Sequence, residues 1–321
     1  MRKTLLMATC ASLMLGFQPF WGFFAHEKIN GLAVFTLPPP MIGFYKKNLT
    51  YIKDASVNPD KRRYAIPEEA PRHYLDFDHY DDSVRLLLPH AWHEAIKIYH
   101  PDTLIAYGIL PWHINQVYGQ LRDAFMIKDP SNILRLSAEL GHYIADAHVP
   151  LHTTENYNGQ LSGQDGIHGL WESRLPELHS PDYNFFVGPC EYISDVQGAA
   201  WQIITTSHAL VDSVLNEEKM LGVVFEEKKY TFETKGSQTI KVYAPEYALA
   251  YHEALNGMVE KQMRASIKSV GSFWYSAWVD AGQPDIKLLI DYAPSEKELQ
   301  RNREELFKWK KKIYHSRLHV E

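Results

Sequence analysis

The sequence predicts a mainly α-helical fold, a single domain with one small β-hairpin added to it. Three observations predict this. Apolar residues recur at helical spacing through most of the chain, and only residues 222–243 alternate as strands. Two His-x-x-x-Asp/Glu pairs, His142/Asp146 and His168/Glu172, put both side chains on one face only if each pair is helical. At 321 residues the chain can bury a large core, and no repeat or low-complexity tract divides it.

Residues 26–35 form a first helix, ended by Thr36-Leu37-Pro38-Pro39-Pro40. Residues 41–54 form a second, before Asn58-Pro59-Asp60 turns the chain. Residues 90–99 are a compact amphipathic segment that stops at Pro101, and His113 to Phe125 follow as a helix. Residues 131–147 make the next helix, with Ser131 as its cap and Leu134, Leu136, Ala138, Leu140 and Ile144 as apolar content. Gly141 permits a close approach to the backbone beside His142. After a Gly-, Asn- and Thr-rich loop at 153–167, a helix runs from Ile167 to Arg174, before Pro176. A long helix spans 192–216. Val223-Val224-Phe225 and Ile240-Lys241-Val242-Tyr243 flank Gly236 as a hairpin. Helical spacing returns at 246–280 and at 294–317, where Lys310-Lys311-Lys312 reads as a solvated face.

A formal charge of −6 argues against nucleic-acid binding through bulk charge. A phosphodiester substrate stays open, because bound metal ions bring positive charge of their own. Cys10 and Cys190 are the only cysteines, too few for a disulfide framework. Arg2 and Lys3 precede an uncharged run from Thr4 to Ala25. Residues 1–20 therefore read as an export leader or an amino-terminal membrane anchor, with 21–321 as the domain and a periplasmic or extracellular location.

His142, Asp146, His152, His168 and Glu172 are the candidate metal ligands. Each His-x-x-x-Asp/Glu pair spans about 6 Å along a helix axis, and Pro150 turns the chain so that His152 enters from another direction. Five N and O donors within 31 residues exceed the needs of one tetrahedral zinc, which points to a metal cluster and hydrolytic chemistry. With 16 histidines in 321 residues chance spacings occur, and His93, His100, His179, His208, His252, His315 and His319 read as such background, while His148 points off the His142/Asp146 face.

The motifs resemble those of the superfamily that joins bacterial zinc-dependent phospholipase C with the single-strand-specific zinc nucleases of fungi and plants. They read Trp21-Gly22-Phe23-Phe24-Ala25-His26, Arg72-His73, His142-Tyr143-Ile144-Ala145-Asp146 with His152, and His168-Gly169-Leu170-Trp171-Glu172. The resemblance spans most of residues 21–175 and fades beyond about residue 220. It implies a multinuclear zinc site of two or three Zn²⁺ ions. One ion would sit among His73, His142, Asp146 and an upstream Asp, with Asp60 ahead of Asp54 for that place. His152, His168 and Glu172 would hold a second. Trp21, through its free amine and carbonyl oxygen, would hold the third with His26 and a bridging Asp146; that amine exists only if the leader is removed directly before Trp21. Asp76 and Asp78 would orient the His73 ring as hydrogen-bond acceptors.

The function implied is phosphodiester hydrolysis by metal-activated hydroxide, with Asp146 and Asp60 as the catalytic carboxylates. Glu172 resembles the phospholipase branch, while the Trp21-to-His26 spacing and the loop at 156–160 resemble the nucleases. Phospholipid therefore stands ahead of nucleic acid as substrate, with contact to a membrane surface and no protein partner. Phe23, Phe24, Ile42, Phe44 and Tyr45 are candidates for an apolar rim or for core. Asn156 and Tyr157 would read and stack a base in a nuclease or nucleotidase. A zinc-stapled binding protein would use the same ligands with no open coordination position.

Overall fold

The computed structural model describes residues 22–81, 85, 87–235 and 238–310. The expected leader, Trp21, Gly236 and the end of the last helix beyond Lys310 lie outside the described residues. The fold is mainly helical with a small two-stranded hairpin, as expected.

Helix α1 covers Phe23–Ala33 and runs into a 3₁₀ turn at Val34–Thr36. It starts earlier than expected because Phe23, Phe24 and Ala25, which close the uncharged run, belong to the helix. Prolines begin α2 (Pro39–Lys47) as well as ending what precedes it, since a proline in the first turn gives up no hydrogen bond. The Asn48 side chain donates to Phe44 O at 2.9 Å. That bond marks the break that splits the expected 41–54 helix into α2 and α3 (Leu49–Ala55). The expected turn at Asn58-Pro59-Asp60 is the start of a short helix, α4 (Asn58–Arg63).

Helices α5 (Trp92–Ile98), α6 (Pro101–Ala106), α7 (Leu110–Met126) and α8 (Pro130–Ala147) follow. Asp129, and not Ser131, caps α8: its carboxylate accepts from Asn132 N at 3.1 Å, and Pro130 takes the first helical position. Fourteen of the 18 residues of α8 are buried, so it runs through the core. It packs along α7 and against α1 and α3.

Helix α9 begins at Ile167–Gly169, widens into a π-helical turn at Leu170–Arg174 and continues as Leu175–His179. Pro176 does not stop it; the widened turn makes room for a ring that has no N–H to give. The expected 192–216 helix is two, α10 (Val196–His208) and α11 (Val211–Phe225). Val223 and Val224 are the exposed last turn of α11 and not a strand; a β-branched pair read by periodicity alone misleads here. Strands β1 (Tyr230–Lys235) and β2 (Gln238–Tyr243) pair antiparallel, Tyr230 opposite Tyr243.

Helices α12 (Pro245–Ala254) and α13 (Met258–Asp280) are joined through Gly257 at φ 73°, a left-handed conformation that suits glycine. Helix α14 (Glu296–Trp309) starts with a capping box between Ser295 and Glu298. Trp274 of α13 is fully buried, stacks on Tyr45 and donates to Ser137 O of α8 at 2.9 Å.

An extended segment, 184–193, lies along α13 and is held every fourth residue. Glu260 accepts the Asn184 amide at 3.0 Å, and Arg264 donates to the carbonyls of Asn184 and Phe186. Lys268 donates to Pro189 O. Ser272 and Ser276 accept the amides of Glu191 and Ile193 at 3.0 and 2.8 Å, and Asp280 accepts the Tyr192 hydroxyl at 2.9 Å. Among the described residues, no helix is long and apolar enough to cross a membrane.

Candidate metal centre

Helix α1 supplies His26, α4 supplies Asp60, and a 3₁₀ turn at Ala70–His73 supplies His73. Helix α8 carries His142 and Asp146 one turn apart. Beyond Pro150 the turn Pro150–Thr153 delivers His152, and α9 brings His168 and Glu172. These eight side chains form three groups that could each hold a metal ion: His26/His142/Asp146, Asp60/His73/His142 and His152/His168/Glu172. All are buried except Asp60, which keeps 19% of its side chain accessible.

Two carboxylates link the groups. Asp146 turns Oδ1 to His26 Nε2 at 3.3 Å and Oδ2 to His73 Nδ1 and His142 Nε2 at 3.0 and 3.2 Å. Glu172 turns Oε1 to the same His26 nitrogen at 3.4 Å and Oε2 to His168 and His152 at 2.6 and 3.5 Å. His26 therefore sits between two carboxylates, each of which also faces a second set of histidines. Asp60 Oδ1 lies 3.8 Å from both His73 Nδ1 and His142 Nε2, and Arg63 holds it at 3.4 Å. Asp54, exposed on α3, belongs to none of the groups.

Donor spacing fits a cation. Four N and O ligands at 2.0–2.1 Å around a tetrahedral ion stand about 3.3–3.4 Å from one another. The separations here bracket that value. His142 Nε2 approaches His73 Nδ1 at 3.0 Å, a contact between two nitrogens that needs either a shared proton or a cation.

Buried hydrogen bonds aim the rings. His152 Nδ1 donates to His73 O at 2.5 Å and His168 Nδ1 to Tyr157 O at 3.1 Å, which turns both Nε2 atoms toward Glu172. His73 presents Nδ1 to the centre, while its Nε2 faces Glu69 Oε1 at 3.7 Å. Glu69 is fully buried and bound by Arg62, Arg72 and Tyr143. Of the two residues expected to orient His73, Asp78 does not take that place. Asp78 instead anchors the loop by accepting from Thr154 Oγ1 and Glu155 N at 2.7 and 3.0 Å. Glu69 stands four residues before His73, the same spacing that singles out His142/Asp146, and that spacing is the signal by which it could have been found.

Burial opposes charge on every one of these groups, and neighbours decide the outcome. Burial lowers the pKa of His26, but Glu172, Asp146 and Asp60 carry it up to about 9. His73 and His152 are likewise raised against burial by carboxylates, whereas burial prevails at His142 and His168 and lowers them. Despite burial, surrounding histidines hold Asp146 and Glu172 well below the carboxylate range.

The loop uses its own amides. Asn156 donates to Ser162 Oγ and accepts from Leu161 N, at 2.9 and 2.8 Å, which commits the side chain expected to read a base. The Tyr157 ring stands edge-on to His168 at 6.2 Å. Phe44 and Tyr45 are core, and Ile42 packs against it; Phe23 is half-buried and Phe24 exposed. Comparison with protein-family models and with curated proteins gives no match.

Proposed function

We propose that the chain is a zinc-dependent phosphodiester hydrolase of the phospholipase C kind, acting outside the cytoplasm. One observation carries this reading: Asp146 and Glu172 each offer one oxygen to His26 and the other to a separate histidine set. Such two-sided carboxylates suit neighbouring ions, which a single structural zinc does not require. Asp60, His73, His142 and Asp146 would hold one ion, and His152, His168 and Glu172 a second. His26, with Asp146, Glu172 and Trp21, would hold a third.

Bound zinc supplies Lewis acidity toward a phosphoryl oxygen and makes water acidic enough to attack near neutral pH. The chain's own residues do the rest. The carbonyls of His73 and Tyr157 fix the rings of His152 and His168, and the Glu69 carboxylate stands 3.7 Å from His73 Nε2. Asp60, the most accessible donor at 19%, would accept a proton from the attacking water. Asp146 keeps its carboxylate ionised within the buried centre.

Glu172 in the closing motif and the aromatic pair Phe23/Phe24 at the start of the helix carrying His26 support a lipid substrate. Asn156 is bound into its own loop and gives no support to base reading. Tyr157, whose ring stands edge-on to His168 at 6.2 Å, favours the second reading, a single-strand nuclease, because it puts an aromatic ring beside a metal ligand. The test is hydrolysis of choline phospholipid and of single-stranded DNA and RNA by purified protein, with metal content measured on the same sample and His142→Ala as control. Zinc-dependent cleavage of phospholipid alone is the expected result. Cleavage of nucleic acid alone selects the second reading, and full zinc with no cleavage of either leaves a zinc-stapled binding protein.

A further inference from the structure

Among the described α-helices, the one with no buried residue touches a buried ion-pair network. No residue of α14 is fully buried, and Leu299, Leu306 and Phe307 stay 43%, 38% and 64% exposed, so little apolar burial holds the helix down. Its last residue, Trp309, lies half-buried with its ring centroid 5.7 Å from the Arg62 guanidinium carbon. Arg62 donates to Glu69 at 2.8 and 3.1 Å and to Glu139 of α8 at 2.9 Å. Glu69 in turn faces His73 Nε2. The same helix packs along α4, which carries Asp60.

We propose that α14 is a clasp on the Asp60/His73/His142 group, and that Trp309 resting on Arg62 sets how firmly this group retains its metal ion. The proposal rests on the metal reading of the centre and not on any substrate. An uncovered guanidinium regains water, and that water competes for the Glu69 carboxylate. Glu69 Oε1 stands 3.7 Å from His73 Nε2, a charge contact; a less firmly held Glu69 weakens that charge behind the His73 ring, and outer partners are worth roughly 10–100-fold in metal affinity. Glu69 is therefore a positioning residue, and Trp309 extends its reach to the surface.

The test uses the full chain loaded with zinc and mixed with excess chelating dye, with each equivalent's release rate recorded. Trp309→Ala is expected to speed the release of one equivalent about fivefold and leave the others unchanged, with Trp309→Phe restoring most of the loss. Glu69→Gln should act on the same equivalent by about tenfold or more. In an Asp60→Asn background, Trp309→Ala should add nothing. Trp309 is half-exposed at a helix end, so its replacement spares the core even if Glu69→Gln fails to fold. Release at the wild-type rate from Trp309→Ala, or equal acceleration of every equivalent, overturns the clasp. A wild-type chain that binds no zinc overturns the metal reading and the clasp together.

Discussion

Asn30 of α1 occupies the space that a Cβ on Gly141 of α8 would enter. Its side-chain amide donates to Ala138 O at 2.9 Å, and the residue is wholly buried. The contact lies one turn from His26 on α1 and next to His142 on α8, whose rings stack with centroids 4.1 Å apart. Helix approach and ligand approach are thus one distance.

Gly141→Ala should therefore damage the metal centre without touching a ligand. The Asn30 amide would have to leave its place and its bond to Ala138 O, and overpacking of this kind costs about 1–3 kcal/mol. Urea denaturation and metal analysis together check it. Wild-type midpoint and metal content in the variant would show that the seat is not tight.

Metal-free and metal-loaded protein should respond to pH in opposite directions. In the metal-free chain, carboxylates carry the His26 pKa up to about 9, above the unfolded value of about 6.5. Its stabilisation is complete below about pH 6.5 and is lost as pH rises through about 9. A bound cation competes with that proton, so the loaded form gains stability over the same range. Thermal melts of both forms between pH 6 and about 9.5 would decide it; parallel curves would count against a ligand role for His26.

Asp146→Asn should cost more metal than Asp60→Asn. The former removes charge that faces three histidines from two oxygens, whereas Asp60 makes its two histidine approaches through one. Mass-spectrometric metal counts on dialysed protein should show at least one further ion missing from Asp146→Asn. Equal losses would mean that Asp146 does not bridge.

The hairpin hangs on a buried carboxylate. Glu218, 1% exposed, takes Lys229 at 2.5 Å, the Tyr247 hydroxyl at 2.6 Å and Gln164 of the loop at 2.7 Å. Lys229→Met leaves that charge without its cation and should cost about 3 kcal/mol, with Glu218→Gln in the same chain restoring part of it. A denaturation midpoint within error of wild type would remove the ion pair from the account.

Sequence made the ligands legible wherever they lie four apart on one helix, because His142/Asp146 and His168/Glu172 need no tertiary information to be seen. The helical class was legible for the same reason. Breaks within it were not: Asn48 ends α2 by a side-chain bond to its own helix, and Pro176 is tolerated only because a widened turn surrounds it. The Arg62–Glu69–Tyr143 network stayed hidden because its members lie on three elements and look, one at a time, like surface charge and a core aromatic. Trp21 falls outside the described residues.

One consequence of α13 concerns measurement more than binding. Four helical residues advance about 6 Å and two extended residues about 6.6 Å, so a stripe taken every fourth residue keeps step with alternate amides of an extended chain. Ser272 and Ser276 hold the amides of Glu191 and Ile193 on that interval. Because the grip is mostly on backbone, the helix reads length and ignores spelling. Phe186, 84% exposed, gives its backbone carbonyl to that grip, and an amino acid inserted between Glu191 and Ile193 would break the match of those two amides to Ser272 and Ser276.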